Sequence, residues 1–195
     1  MQTRKEQKEQ RYKDILNVAL DLFIRKGYSA TKIKDIADSL NMSVGLLFHY
    51  FESKERLYIE LIKLGVEGPK YMMSQINEVD PLVFFETCAK QTLSYAKQSM
   101  FTAKMFILMS NAFYNEGIPE EAKQIASSID FYKETLPVII KGQQDGTIRQ
   151  GDPLSLATTF WTALQGIIQV YALNEDIQLP KSEWIIDIIR EKEKS

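Results

Sequence analysis

The sequence contains one cysteine and one histidine among its 195 residues. One cysteine cannot form an internal disulfide, and Cys88 with His49 cannot supply the ligands of a structural zinc site. No apolar run approaches the roughly 20 residues that a membrane-spanning helix needs. The polar start, MQTRKEQKEQRYKD, lacks the apolar segment of a secretory signal. We therefore expect a cytoplasmic protein without membrane segment, metal or cofactor, and with Cys88 as a buried structural thiol.

The motifs of common enzyme classes are also missing. The sequence has no Gly-rich phosphate loop and no G-x-S-x-G nucleophile elbow. One cysteine and one histidine give little scope for a Cys–His–acid set. We therefore expect that the protein is not an enzyme.

The net charge of −2 is distributed unevenly along the chain. Residues 1–54 carry ten basic and seven acidic residues, whereas the remainder carries 14 basic and 19 acidic residues. A basic first part on an acidic remainder favours a polyanion as the partner of the first part. A solvated surface is the alternative interpretation.

Apolar spacing predicts an all-α protein. A first helix buries Ile15, Ala19 and Phe23 and stops at Lys26-Gly27. A second short helix is predicted to have Thr31 as its N-cap and to end at Asn41, a residue type that tolerates the left-handed conformation. Ser43 can cap a third helix two residues later. Helix, short reversal and helix are the layout of a helix-turn-helix.

The third helix lies in MSVGLLFHYFESKERL, residues 42–57. A helical wheel places Val44, Leu47, Phe48 and Phe51 on an inward face and Gly45, Leu46 and His49 opposite, with Tyr50 on the flank. A small residue allows close approach to DNA, a leucine can meet a thymine methyl, and His and Tyr can donate to phosphates. Ser53 is predicted to cap a fourth helix, whose first turn, with Lys54, favours a phosphate. An ordinary surface histidine is the alternative for His49.

Residues 27–58, GYSATKIKDIADSLNMSVGLLFHYFESKERLY, resemble the DNA-binding segment of TetR-type transcriptional regulators. The matching features are Gly27, Thr31, Ile36-Ala37, Ser43-x-Gly45, Leu47, Tyr50-Phe51, Lys54-Glu55 and Leu57. Residues 146–167 are similar to a stretch of the ligand-binding bodies of such regulators. Asn41 stands where the family often has glycine, and Phe48 where it usually has tyrosine.

The resemblance implies two sets of DNA contacts. Backbone phosphates are expected at Thr31, Lys32, His49, Tyr50 and Lys54, and base edges at Ser43, Val44, Gly45 and Leu46. Lys34 is added because of its charge and proximity.

The expected fold class is an N-terminal three-helix DNA-binding domain, residues 1–53, followed by a larger helical ligand-binding and dimerisation domain, residues 54–195. Helix four is predicted to break near Gly68-Pro69 or soon after. A long helix is expected from Pro119 to the Gly146 region, with a kink at Pro137. Asp152-Pro153 opens the next helix, and the last helix runs from about Ser182 to the charged tail.

Helix 153–173 is apolar on nearly all sides, which predicts burial on both sides. We expect a two-fold homodimer through this helix and the last one, with an interface formed by Leu164, Gly166, Ile167, Ile168, Tyr171, Trp184, Ile185 and Ile188. A helix fully internal to one protomer is the alternative.

The segment SMFTAKMFILMSNAFY is rich in Met and aromatic residues. Such side chains suit a pocket for a small, largely apolar effector, although ordinary core packing is the alternative. The candidate lining residues are Phe84, Met105, Met109, Phe113, Phe131 and Trp161.

These observations favour a ligand-responsive regulator that binds a palindromic DNA operator as a dimer. By the family's default it is a repressor that its effector releases. A helical protein–protein interaction scaffold without ligand control is the alternative.

Overall fold

The computed structural model describes residues 3–76 and 80–192, and these form an all-α fold. The only extended pairing in these ranges is an isolated bridge between Ile148 and Arg190. No helix within them is long and apolar enough to cross a membrane. The helices are α1 (Arg4–Ala30), α2 (Ile33–Ser39), α3 (Val44–Phe48), α4 (Lys54–Ser74), α5 (Pro81–Gln98), α6 (Met100–Tyr114), α7 (Glu120–Ala126), α8 (Phe131–Glu134), α9 (Leu136–Gln144), α10 (Pro153–Leu173) and α11 (Ser182–Ile186).

The chain divides into two compact units. Unit 1 comprises residues 1–67 and 107–128, and unit 2 comprises residues 68–106 and 129–195. Helices α4 and α6 therefore contribute residues to both units. The boundary expected between residues 53 and 54 stays a prediction.

Unit 1 is built around the apolar face of α1. Ile15, Ala19 and Phe23 are buried, as their spacing predicts. The Phe23 ring meets Tyr58 of α4 edge-on, with 5.0 Å between ring centroids. Gly27 leaves helical geometry at φ 78° near the end of α1, which confirms the predicted glycine stop.

The predicted helix-turn-helix is confirmed in its layout. Asn41 has φ 51°, and no other non-glycine residue in the described ranges has a positive φ. The Ser43 hydroxyl accepts a hydrogen bond from the Leu46 N–H at 3.1 Å and caps α3. The reversal between α2 and α3 therefore rests on one left-handed residue followed by an N-cap.

Unit 2 begins two of its helices at an Asp-Pro pair. Asp80 and Asp152 accept hydrogen bonds from the first backbone N–H groups of α5 and α10, as the sequence predicts for Asp152. Cys88 lies fully buried on α5, and burial raises the pKa of its thiol to about 12. A protonated buried thiol is unreactive at neutral pH, as expected of a structural cysteine.

Three predicted boundaries are wrong: the N-cap at Thr31, the long helix after Pro119 and the end of the last helix. Thr31 ends α1, and Lys32 is the residue before α2, because the Thr31 hydroxyl bonds back to α1. Helix α4 continues through Pro69 and ends at Ser74, soon after the predicted position. The long helix expected after Pro119 is instead α7, α8 and α9.

Asp130 caps α8, and Pro137 lies in the first turn of α9, where its missing N–H needs no partner. The last helix, α11, ends at Ile186. The chain then turns, and the Arg149 N–H donates to Ile189 O at 2.9 Å beside the bridge at Arg190.

Replacing Asn41 tests the reversal between α2 and α3. We expect Asn41→Ala to lower the free energy of unfolding by about 1 kcal/mol, because an alanine resists positive φ. Asn41→Gly should change stability little. Urea unfolding followed by circular dichroism measures both variants. Asn17→Ala, at an exposed position inside α1, is the matched control. Equal stability of Asn41→Ala and the parent protein would contradict this account.

Candidate nucleic-acid interface

The two faces of α3 differ as a recognition helix requires. Leu47 is fully buried and Phe51, just after the helix, is 6% exposed. Gly45 and His49 are exposed on the opposite side. The prediction for Phe48 is wrong, since this side chain is 45% exposed. The buried direction lies between Leu47 and Phe51, so Phe48 falls on the rim and joins the outward face.

The remaining candidates on and after α3 lie around that face. Ser43 is exposed, although its hydroxyl already serves as the cap of α3. Val44, Leu46 and Tyr50 are half-buried. A Cβ placed on Gly45 would meet only the Ser43 hydroxyl, at 4.0 Å, so the surface above this glycine is open.

Thr31 does not offer its hydroxyl to DNA. The residue is 1% exposed, and its Oγ1 donates to Gly27 O at 2.7 Å and to Leu22 O at 3.2 Å. These bonds satisfy carbonyls near the end of α1. The predicted phosphate contact through this side chain is therefore wrong, and Thr31 holds α1 to the start of α2.

The two lysines beside Thr31 are exposed. Lys32 and Lys34 lie at the start of α2, and both residues are exposed. Asp35 accepts from the Lys32 N–H at 3.3 Å and pairs with Lys26 at 3.1 Å. The hydrogen bonds from Lys26 and from the Lys32 backbone lower the pKa of Asp35. The carboxylate thus anchors the backbone of α2 while Lys32 and Lys34 remain accessible.

Lys54 has a structural contact at the expected phosphate site. Its Nζ donates to Tyr28 O at 2.8 Å and lies 4.2 Å from the centroid of the Tyr28 ring. Burial lowers the pKa of Lys54. The ammonium has three donors, so one bond to Tyr28 leaves capacity for an anion. Ser53 caps α4 as predicted, through a 3.1 Å bond from the Arg56 N–H.

Tyr12, which is not among the residues predicted from the sequence, supports this surface. The Tyr12 ring stacks on Phe51 with 5.1 Å between centroids, and its hydroxyl donates to Glu60 Oε1 at 2.7 Å. Burial and the Glu60 carboxylate raise the pKa of Tyr12 to about 12. Its position three residues before Ile15, on the inner side of α1, was the available signal.

The candidate effector residues do not form one group. Phe84, Phe131 and Trp161 belong to an aromatic cluster in unit 2, where Trp161 Nε1 donates to Thr135 Oγ1 at 3.1 Å. Successive ring contacts of 4.9 to 6.4 Å join this cluster through Phe85 and Phe160.

The α6 candidates divide between the units. Met105 is buried in unit 2, whereas Met109 belongs to unit 1. Phe113 also lies in unit 1 and is 55% exposed, so it does not line an enclosed pocket.

The predicted dimer residues divide between two sides of their helices. Leu164, Ile168 and Ile185 are at most 2% exposed within the protomer, so they have no surface to give to a second copy and these predictions are wrong. Trp184 is 64% exposed, and Gly166, Ile167, Tyr171 and Ile188 are half-buried. The sequence pattern could not separate the two sides because both sides of α10 are apolar.

No group of three or more His, Cys, Asp or Glu side chains in residues 3–76 and 80–192 could hold a metal ion. The chemistry of the surface around α3 is that of hydrogen bonding, apolar contact and positive charge.

Residues 15–61 match the family described as bacterial regulatory proteins, tetR family. The chain is 27% identical over 168 residues to YuxN of Bacillus subtilis, described as an uncharacterized HTH-type transcriptional regulator. This match covers 84% of the chain but 54% of YuxN, so the chain spans about half the length of that relative.

Solved structures support the fold over nearly the whole chain. The ketosteroid transcriptional regulator KstR2 of Mycobacterium tuberculosis has a TM-score of 0.71 at 16% identity, covering 93% of this chain and 96% of that one. AibR in complex with isovaleryl coenzyme A and operator DNA has a TM-score of 0.65 at 18% identity, covering 91% and 94%. The match of residues 15–61 and this shared fold support the predicted resemblance to TetR-type transcriptional regulators.

Proposed function

We propose that the protein binds a palindromic DNA operator as a homodimer and represses transcription until a small, largely apolar effector releases it. The observation that carries the DNA-binding role is the outward face of α3. Gly45, Phe48 and His49 are exposed there, while Leu47 and Phe51 dock the helix. An exposed phenylalanine beside an open glycine has no role in the core, and both suit a groove lined by thymine methyls.

The contacts with DNA fall into two groups in this proposal. Gly45, Leu46 and Phe48, with Ser43 and Val44 at the start of α3, face base edges. Backbone phosphates meet His49, Tyr50 and the lysines, which are Lys32, Lys34 and Lys54. The three lysines supply a sequence-independent attraction that weakens with salt. The groove contacts supply sequence preference.

Selection of bound duplexes from a random pool tests this function. We expect an enriched motif with two-fold symmetry and half-sites about 34–36 Å apart or a multiple of this distance. Gly45→Leu should lower affinity for the selected duplex at least about tenfold, because the added bulk fills the surface facing the groove. Gly68→Leu is the matched control, since a Cβ there also meets no other atom within 4 Å and the residue lies in unit 2.

Two results would contradict the DNA-binding role. One is a pool without enrichment, together with no duplex binding at low salt. The other is unchanged affinity of Gly45→Leu. Binding to another protein in place of duplex DNA would favour the interaction scaffold.

The dimer is proposed to form through the outward side of α10 and the adjacent α11. Val170 and Leu173 are 49% and 73% exposed, and Trp184 is 64% exposed. A Cβ on Gly166 would meet no atom within 4 Å. Such an exposed apolar side with a small residue at its middle suits close packing against a second copy.

Gly166→Arg tests that interface. In the protomer an arginine has room at this position, whereas in a close helix pair it would meet the partner. We therefore expect a folded monomer at micromolar concentration by sedimentation, where the parent protein is a dimer. Gly68→Arg is the control that should stay dimeric. A parent protein that sediments as a monomer, or a dimeric Gly166→Arg variant, would refute the interface.

The effector is proposed to act at the aromatic cluster around Trp161. This ring is half-buried among Phe85, Phe131 and Phe160, and the cluster offers an apolar environment with a few polar atoms at Thr135. Because α4 is one helix from Lys54 to Ser74, a displacement of its later turns would move the contact of Lys54 with Tyr28. The effector releases DNA only by binding one arrangement more tightly than the other.

The two tryptophans allow a direct test. Trp184→Phe leaves Trp161 as the sole tryptophan. We expect an effector to change its fluorescence and, in parallel, to weaken operator binding. A ketosteroid and a medium-chain alcohol are suitable apolar probes. Trp161→Phe is the control, because its remaining tryptophan, Trp184, lies outside the aromatic cluster and should not respond. A probe that weakens operator binding with Trp161 emission unchanged would refute this site.

A further inference from the structure

The first two turns of α1 extend beyond the core of unit 1. Every residue from Arg4 to Arg11 is exposed, and Ile15 is the first buried residue of the helix. A capping box stabilises this start, with Thr3 N–H donating to Glu6 Oε2 at 2.8 Å and Glu6 N–H donating to Thr3 Oγ1 at 3.2 Å. The extension is therefore helical without packing of its own.

The side of α1 that faces the core is basic, and not apolar, in this extension. Arg4, Lys8 and Arg11 lie at the helical spacing that continues to Ile15 and Ala19. Arg4 and Arg11 are about 10 Å apart along the axis. The same stripe is thus basic over its first two turns and apolar thereafter. An anionic partner at the start of this stripe would interact favourably with its basic side chains.

The acidic residues of the extension are engaged in other contacts. Glu6 serves the cap, and Glu9 pairs with Lys13 at 3.0 Å. Within residues 3–76 and 80–192, neither an ion pair nor a side-chain hydrogen bond occupies the three basic residues of the stripe. Their positive charge is therefore available to a partner.

These residues line a cleft that includes the end of the α3 segment. The cleft has a volume of about 430 Å³, with Arg4, Lys8 and Arg11 on one side and Tyr50 at the other. Gln7 and Gln10 add donors, and the one carboxylate in the lining, Asp14, accepts from Gln10 Nε2 at 2.9 Å. Three cations, amide donors and a tyrosine hydroxyl together match the needs of phosphodiester oxygens.

We propose that this basic cleft binds DNA backbone phosphates beside the half-site that α3 enters, which extends the footprint of each protomer. The inference rests on the proposed DNA-binding function. In this proposal the contact carries no base preference, because contacts with phosphate oxygens carry no sequence information. It adds two or three phosphate contacts per protomer.

The double variant Lys8→Gln/Arg11→Gln tests the cleft in the full chain. Binding to a mixed-sequence duplex of about 40 base pairs is measured between about 50 and 200 mM potassium chloride. Removal of one phosphate contact should reduce the slope of log affinity against log salt by about 0.9, so the double variant should reduce it by roughly 2 per protomer. Glutamine forms helix well, so thermal stability should be unchanged.

The control is Lys90→Gln/Lys97→Gln, which removes the same charge from exposed positions of α5 outside the cleft. Its salt slope should equal that of the parent protein. Ethylation interference is a second readout. Ethylation of phosphates outside the half-site should weaken binding of the parent protein, whereas it should leave the binding of Lys8→Gln/Arg11→Gln unchanged. Both results would support the cleft.

Three outcomes overturn the proposal, and they differ in whether they also refute the DNA-binding function. A parent protein that binds the duplex with a steep salt slope, shared by Lys8→Gln/Arg11→Gln, refutes the cleft and leaves the DNA-binding function standing. A parent protein that binds no duplex at any salt concentration refutes both. An equal decrease of slope in the two double variants also refutes the cleft, because the effect would then belong to net charge alone.

Discussion

Helix α3 holds its orientation because Leu47 is fully buried and Phe51 stacks on Tyr12 at 5.1 Å. A helix of five residues is too short to persist alone in water. Burial of two large side chains supplies about 1.5–3 kcal/mol each. The same docking turns Gly45, Phe48 and His49 outward. The chemistry of the outward face therefore depends on residues that are not part of that face.

Hydrogen bonds of α1 and α4 residues support the contacts that dock α3. Tyr12 is fixed by its 2.7 Å hydrogen bond to Glu60 of α4, and Lys54 at the start of α4 is fixed on Tyr28. The high pKa of Tyr12, about 12, means that this phenol stays protonated and donates throughout the neutral range. Helices α1 and α4 thus support the buried side of α3, and the turn at Asn41 sets the direction in which the chain enters α3. A disturbance of α4 would reach α3 through these contacts.

The sequence predicted helix caps and turns well, but it predicted less well which side chains face the core. Ser43, Asn41 and Gly27 each have a role that follows from one residue and its immediate neighbours, and the structure confirms them. Phe48 was misplaced because the buried direction of a five-residue helix depends on two side chains. The role of Thr31 was predicted wrongly because a threonine hydroxyl can either accept from N–H groups of the helix that follows or donate to carbonyls of the helix that precedes it. On α10, apolar residues on both sides concealed which of them, such as Leu164, belong to the protomer's own core.

Net charge alone would have argued against a nucleic-acid partner, since the chain carries −2. What matters is where the cations stand and whether carboxylates neutralise them. In α1 the basic residues of the core-facing stripe are separated from Glu6 and Glu9, which the cap and Lys13 occupy. An excess of acid in the remainder of the sequence then disfavours other approaches of a polyanion. In the proposed function, charge placement of this kind would direct DNA to the start of α1 in unit 1, and the α3 surface would then select among sequences while the basic residues hold the DNA backbone.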